Sequence, residues 1–445
     1  MELKDKYILE NLDAFTSDSS SPSVAEMLRT VSITVAGGRI AGIMPADIGA
    51  VKCRAGGEYS DFQRIDCTGL YAYPGLIDAH VHLPGAVGDE FDTFHINDKI
   101  RTIHSVAHSQ QLLKYGFTSV RDISWNGLYL KRVFNRGILP GPRIVSCGPG
   151  LSRSGGHSDL PELPFDFVKD NHFWGVFADG REEIRKTVRL LIREGADQIK
   201  IWASGGGNND VDKIAEQHYS FEEISMAVEE ASFIRGTTVC AHAEENGSIR
   251  DCIKAGVRSI EHGEDLDEET ADLMIEKGVI LVPTINLIAN WYRDFMNPDI
   301  ITPPAVDYGP FFQRDIWDDS DPEKERERSL ASYRLAVEKG VKIAMGSDSV
   351  DELVTPYGRY SSSEIISMAE FGMSPAEALL SATSTAAEVI GLGEHTGVLK
   401  EGFAADIVLF EKNPLEGLSV LEDSSNIKMV IKDGRLTVED GRLAY

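Results

Sequence analysis

The sequence has few basic residues, few cysteines and no long apolar run. Its 44 lysines and arginines stand against 71 aspartates and glutamates, which gives a formal net charge of −27. Because such a surface repels polyphosphate and anionic lipid, we expect neither a nucleic-acid nor a membrane partner. The five cysteines are widely spaced and include no CxxC pair, which argues against a disulfide framework. With no run near the roughly 18 apolar residues of a membrane span, we expect a cytoplasmic protein.

The composition is that of a folded protein. Hydrophobic residues make up 42% and charged residues 26% of the 445 positions, values typical of globular chains and unlike those of disordered ones. At about 150 residues per domain, the length corresponds to about three domains, or to one large barrel with a smaller partner.

Both ends of the chain contain short strand-like runs. Residues 31–35 and 39–44 flank a Gly-Gly turn, and residues 405–410 form a similar run near the C-terminus. Short, half-buried strands need a shared sheet to be stable. We therefore predict one composite β-sandwich domain built from residues 1–74 and 398–445.

The middle of the chain has a different pattern. Between residues 75 and 397, strand-like runs alternate with amphipathic segments, several of which end at glycine as helix C-caps do. Eight such units in about 320 residues are what a parallel (β/α)8 TIM barrel requires, so we predict an α/β fold. Long loops are predicted at 148–180 and 284–320. The eight predicted strands are residues 76–82, 118–122, 143–146, 198–201, 238–242, 258–261, 279–282 and 341–345.

The first barrel strand ends in His80-Val81-His82. Side chains two apart on a strand project to the same side, so both imidazoles would point into the barrel at its C-terminal rim. This arrangement suits metal chelation. A hydrogen-bonded structural pair is the alternative.

Four other predicted strands also end in residues of ligand type, namely Lys200, His242, His262 and Asp348. Each has a simpler interpretation: Lys200 as a buried ion-pair partner, the two histidines as core residues and Asp348 as a helix N-cap. Random placement does not put titratable residues at the same end of five strands of one barrel. Together the five strand ends therefore predict a metal site.

The order His-x-His, Lys, His, His, Asp on successive strands resembles the binuclear-metal branch of the amidohydrolase superfamily. Finer runs resemble its metal-dependent dipeptidases and carboxypeptidases, which cleave before a C-terminal Arg, Lys or Pro, and its ochratoxin amidases. The resemblance covers almost the whole chain. The runs that carry it are residues 73–82, 116–122, 155–157, 195–201 and 259–263.

This resemblance implies two divalent metal ions, most simply zinc, and a metal-bridging hydroxide that attacks the amide carbonyl. Lys200 would be carbamylated and would bridge both ions, and Asp348 would carry the proton to the leaving nitrogen. The implied first ion is held by His80 and His82 with Asp348, and the second by His242 and His262.

Other candidate residues come from loops. His157 follows two glycines, and in the resembling dipeptidases the equivalent histidine stabilises the oxyanion; a surface histidine is the alternative. Where many relatives have a tyrosine, Glu244 would recognise a cationic group or begin a helix. After Asp348, where relatives often have a His-Gly pair, this chain has the run 355–360, in which Tyr357 and Arg359 are candidate substrate contacts. Arg359 would clamp a substrate carboxylate, and an exposed loop arginine is the alternative.

These features predict a hydrolase that cleaves an amide bond in a small substrate with a free carboxylate, such as a dipeptide or an N-acyl amino acid. One alternative is a cyclic amidohydrolase similar to imidazolonepropionase, or a deaminating hydrolase, but those relatives mostly use one metal and lack the lysine on strand four. Another is a non-catalytic scaffold, against which the intact ligand set argues. We also expect a homo-oligomer.

Overall fold

A computed structural model describes residues 3–16, 25–54, 56–86, 98–161, 163–171, 175–207, 212–296, 322–351 and 355–444. Its strands are β1 (Lys6–Thr16), β2 (Glu26–Ala36), β3 (Arg39–Pro45), β4 (Gln63–Asp66), β5 (Tyr71–Pro74), β6 (Leu76–Ala86), β7 (Phe117–Asp122), β8 (Arg143–Ser146), β9 (Gly150–Ser152), β10 (Gly175–Phe177), β11 (Ile199–Trp202), β12 (Val239–Ala243), β13 (Ser259–His262), β14 (Ile280–Val282), β15 (Ser349–Asp351), β16 (Ile407–Phe410), β17 (Ile427–Lys432), β18 (Arg435–Glu439) and β19 (Arg442–Leu443).

The α-helices are α1 (Ala46–Lys52), α2 (Asp98–Lys114), α3 (Trp125–Asn135), α4 (Phe165–Asn171), α5 (Gly180–Glu194), α6 (Phe221–Ser232), α7 (Asn246–Ala255), α8 (Glu268–Lys277), α9 (Ile285–Met296), α10 (Pro322–Lys339), α11 (Arg359–Phe371), α12 (Pro375–Ser381) and α13 (Ser384–Val389). Gly195 and Gly278 cap α5 and α8 in the left-handed conformation, as the sequence predicts. Among the described helices, none combines the length and apolar character needed to cross a bilayer.

One sheet is shared by the two ends of the chain. Its nine strands follow the order β19-β18-β17-β16-β5-β1-β2-β3, with β4 paired to β1. Strand β5 joins the ends, because it pairs in parallel with β1 and antiparallel with β16. The sheet's core includes Leu9, Ile33, Ile407 and Ile431, all fully buried. The boundaries 74/75 and 397/398 between this β domain and the barrel stay a prediction.

The parallel strands between the two ends close into a barrel. β6, β7 and β8 form one run and β11 to β14 another. The Asp197 amide donates to the Ser146 carbonyl at 2.7 Å and joins the two runs on one side. Residues 341–345 join the two runs on the other side. Ile343 forms a parallel bridge with Leu281, and the Ala79 amide donates to the Met345 carbonyl. This confirms the α/β fold class with a TIM barrel.

Three details differ from the sequence expectation. Residues 341–345 fill the eighth position but form only a single bridge rather than a regular strand. The reason lies next to them, since Gly346 packs on His80 and Asp348 turns the chain with φ at +55°. The predicted loop 148–180 contains β9, α4 and β10. In the other predicted loop, residues 285–296 form α9, and 297–320 lie outside the described residues.

Candidate metal centre

His80 and His82 lie together in the middle of β6, both buried. The Nδ1 atom of His80 donates to Glu261 Oε2 at 2.9 Å, and that of His82 donates to the Ile123 carbonyl at 3.0 Å. Each ring is thereby fixed at Nδ1, while the Nε2 atoms lie 3.4 and 3.1 Å from Asp348 Oδ1. Fixing the outer nitrogen in this way orients a histidine as a metal ligand.

Asp348 reaches this point through a strained backbone. Its φ of +55° is in the left-handed region, which costs an aspartate about 1–3 kcal/mol. The amide of Asp348 donates to the His80 carbonyl at 2.8 Å and holds this conformation in place. Burial alone would raise the pKa of the Asp348 carboxyl, but the imidazoles of His80 and His82 outweigh it and hold that pKa well below its usual range. The side chain is therefore a carboxylate.

His242 and His262 form a second group across the barrel. His242 Nε2 lies 3.1 Å from the Gly205 carbonyl, and its buried Nδ1 has no hydrogen-bond partner in the described part of the chain. His262 Nδ1 lies 2.8 Å from Thr284 Oγ1. Burial lowers the pKa of His262 to about 3, which keeps the ring neutral as a ligand must be. The two rings are 4.5 Å apart between centroids.

Lys200 lies in the barrel interior between these groups. The side chain is fully buried, and its Nζ has no hydrogen bond or ion pair with any described residue. This argues against the buried ion pair that the sequence left open. Burial lowers the pKa of Lys200, which favours the neutral amine. A neutral amine is the form that reacts with carbon dioxide to give a carbamate, so the orphaned Nζ fits that modification.

The two groups fit divalent metal ions by their donor chemistry. Each brings three ligand atoms within 4.8 Å of one another, one group consisting of His80, His82 and Asp348 and the other of His242, Glu244 and His262. Neutral imidazole nitrogens and carboxylate oxygens suit zinc. The rings of His80 and His262 are 5.4 Å apart between centroids, so the groups adjoin.

The sequence did not identify the side chains that hold the first group. Arg121 is fully buried, and its Nη2 donates to Glu261 Oε2 at 2.6 Å. Ser259 Oγ donates to the other oxygen of Glu261 at 2.6 Å. Glu261 therefore links a buried guanidinium to the His80 ring. Strand alternation places Glu261 and His262 on opposite faces, but the φ of +69° at His262 breaks this rule and lets both reach the centre.

His157 also lies at the centre. Its ring stacks on that of His242 at 4.3 Å between centroids, and its Nδ1 lies 2.8 Å from Asp212 Oδ2. A Cβ atom at Gly206 would come within 2.3 Å of the His157 ring, so only glycine allows this approach. Sequence analysis missed Asp212, because it lies 55 residues from His157 in a region without motif spacing.

The three predicted substrate contacts have different surroundings. Glu244 is buried beside His242. Tyr357 is also buried; its hydroxyl donates to the His82 carbonyl at 2.6 Å and its ring stacks on His108. Arg359 is exposed at the first position of α11. Substrate contact stays a prediction for all three residues.

Comparison with known proteins identifies the family that this fold and these residues indicate. The sequence profile described as the amidohydrolase family matches residues 71–437. The chain belongs to this family. Ochratoxinase from Aspergillus niger is 32% identical over 385 residues, which cover 82% of this chain and 75% of that protein. Its crystal structure superposes with a TM-score of 0.83 at 27% identity, over 98% of this chain and 96% of that one.

Two further amidohydrolase structures are similar over nearly the full length. A prolidase complexed with N-methylphosphonate-L-proline has a TM-score of 0.82 at 30% identity, over 98% of this chain and 99% of that one. A Xaa-Pro dipeptidase with bound methionine has a TM-score of 0.80 at 28% identity, over 97% and 99%. These relatives confirm the predicted dipeptidase and ochratoxinase subgroup and an amidohydrolase acting on amide or peptide bonds. Divalent metal ions are typical of the superfamily, which agrees with the two ligand groups.

Proposed function

We propose that this amidohydrolase cleaves the amide bond of a small substrate with a free carboxylate, a dipeptide or an N-acyl amino acid, including ochratoxin-type amides. The observation that carries the proposal is the convergence of two ligand groups around the unpartnered Nζ of Lys200. The prolidase and the dipeptidase described above were solved with ligands built on a single amino acid, and such ligands support a small substrate for this chain.

Two divalent ions, which we propose to be zinc, would occupy the centre. Carbamylated Lys200 would be an anionic ligand at this centre. When bound, such ions polarise an amide carbonyl and lower the pKa of coordinated water. The remaining ligands would be His80, His82 and Asp348 for one ion, and His242 and His262 for the other.

Asp348 has the properties of a proton carrier. It is ionised, and its backbone is fixed by the hydrogen bond to the His80 carbonyl. Its carboxylate would accept the proton of the attacking water and transfer it to the amide nitrogen as that nitrogen leaves as an amine. A carboxylate fixed in this way already has the position that the proton transfer requires, which lowers the entropic part of the barrier.

His157 would act on the carbonyl oxygen. The Asp212 carboxylate accepts from Nδ1 and would stabilise an imidazolium that donates from Nε2 to the developing oxyanion. Asp212 would thus be a positioning residue for His157. Arg359 stays our proposed contact for the substrate carboxylate.

The test is a substrate panel on zinc-loaded protein. It contains Xaa-Pro, Xaa-Arg, Xaa-Lys and Xaa-Phe dipeptides together with N-acyl and N-aroyl amino acids, and the C-terminal amides of the same compounds are the matched controls. We expect turnover of acids in the panel, much slower turnover of their amides, and loss of turnover on chelation that added metal restores. Turnover confined to ring substrates or free amines would contradict the proposal.

A further inference from the structure

Glu244 occupies the same position relative to His242 as His82 does relative to His80. Each pair is two residues apart: His80 and His82 lie within β6, where alternate side chains project to the same side, and His242 lies in β12 with Glu244 directly after its last residue. The Oε1 atom of Glu244 lies 3.4 Å from His242 Nε2. Both pairs thus combine residues of ligand type at positions i and i+2 on a barrel strand or directly after it.

The Glu244 side chain is buried without a close ion pair, and Arg328 acts on it only from longer range. Only 6% of the residue is exposed, and no lysine or arginine nitrogen of the described chain lies within 4.0 Å of its oxygens. Burying an unpaired carboxylate is costly, and a metal ion is one of the partners that offset the cost. The nearby carboxylate of Glu264 differs, because it accepts a hydrogen bond from Ser329 Oγ at 2.8 Å.

His242, Glu244 and His262 lie close enough together to hold one ion. Ligand atoms of His242, Glu244 and His262 all lie within 4.8 Å of one another, as do those of His80, His82 and Asp348. Two histidines and a glutamate are an established donor set for zinc in enzymes. We propose that Glu244 is a ligand of the divalent ion held by His242 and His262.

This inference rests on the proposed function only in requiring a metal at this centre. It gives the second ion a carboxylate where many members of the subgroup carry a tyrosine, and so one more anionic donor. It also engages the Glu244 carboxylate with metal, which removes it as a recognition group for a cationic substrate.

Metal binding tests the assignment independently of turnover. Apo protein of the wild type, Glu244→Gln, Glu244→Ala and the control Glu264→Gln is titrated with zinc against a competing chelator, and cobalt is titrated to follow its visible absorption. We expect two ions in the wild type and in the control. In both Glu244 variants one ion should bind as before and the other at least about 100-fold more weakly, beyond the 10–100-fold typical of losing an outer partner.

The outcomes separate this inference from the proposed function. If the wild type binds no metal, both fail. If the wild type binds two ions and cleaves amides while the Glu244 variants bind both ions equally well, this inference alone is overturned; a changed KM for basic dipeptides would then identify Glu244 as a substrate contact. Should Glu244→Ala fail to fold, Glu244→Asp keeps the charge on a shorter arm, and we expect its loss of affinity to be smaller than that of Glu244→Gln.

Discussion

The substitution Glu261→Gln tests how much the buried ion pair between Glu261 and Arg121 stabilises the fold. In the wild type the Glu261 carboxylate accepts from Arg121 Nη2 at 2.6 Å, from Ser259 Oγ at 2.6 Å and from His80 Nδ1 at 2.9 Å. Both Arg121 and Glu261 are completely buried. The variant keeps the shape of the side chain but removes its charge, which leaves the guanidinium of Arg121 buried without a counter-ion.

The expected cost follows from this environment. Removing one partner of a buried ion pair costs about 3–5 kcal/mol, because the other charge stays buried. That is a large part of the roughly 5–15 kcal/mol that stabilises a typical protein. The remaining bonds of Arg121, to the Ala79 carbonyl, to Ser259 Oγ and to Gln198 Oε1, are made to neutral acceptors and do not replace the lost charge.

Chemical denaturation of the apo protein measures this cost without any contribution from metal. The control is Asp440→Asn, which removes an exposed partner of Lys428 and should cost less than about 1 kcal/mol. A loss below 1 kcal/mol in Glu261→Gln would refute the reasoning. A second readout is zinc affinity, which we expect to fall about 10–100-fold because His80 would then donate to a neutral amide oxygen instead of a carboxylate.

Three further predictions concern the chemistry. Lys200→Ala should reduce bound metal from two ions to one or fewer and slow turnover by about 10²–10³-fold, and the wild type alone should show a carbamate signal after exposure to ¹³C-bicarbonate; full metal content in the variant would contradict the carbamate. Asp348→Asn should keep the circular dichroism spectrum of the wild type and lose about 10²–10⁴-fold in kcat, so normal turnover would exclude a proton carrier there. Asp212→Asn should lower kcat by up to about 10²–10³-fold with metal content unchanged; a loss of metal instead would mean that Asp212 supports the ligands rather than His157.

Strand periodicity predicted the parts of the site that regular backbone places. His80 and His82 follow the two-residue repeat of β6, and Lys200 and His242 lie on neighbouring strands of the same barrel. A parallel barrel brings all its strand ends to one rim, so the order of these residues along the chain was enough to predict that they meet.

Strand periodicity could not predict the contacts that depend on irregular backbone or on packing between distant residues. His262 reaches the centre through a positive φ, and the segment before Asp348 makes only one bridge instead of a strand. Asp212 meets His157 through loop packing, and Arg121 meets Glu261 across the barrel interior. No local rule relates such pairs, since their separations in sequence are set by the fold and not by a repeat.

Two of the proposed ligands, His262 and Asp348, have strained backbone conformations that neighbouring residues hold in place. His262 and Asp348 both have a positive φ, and each contacts or adjoins residues that are not proposed ligands. The ring of His262 lies against Thr284, and the segment before Asp348 is tied down because Ser347 donates both its amide and its hydroxyl to Asp78. Strain of about 1–3 kcal/mol at each residue persists only where the surroundings determine the conformation. Hydrogen bonds within the barrel therefore help to set the backbone conformation of both residues.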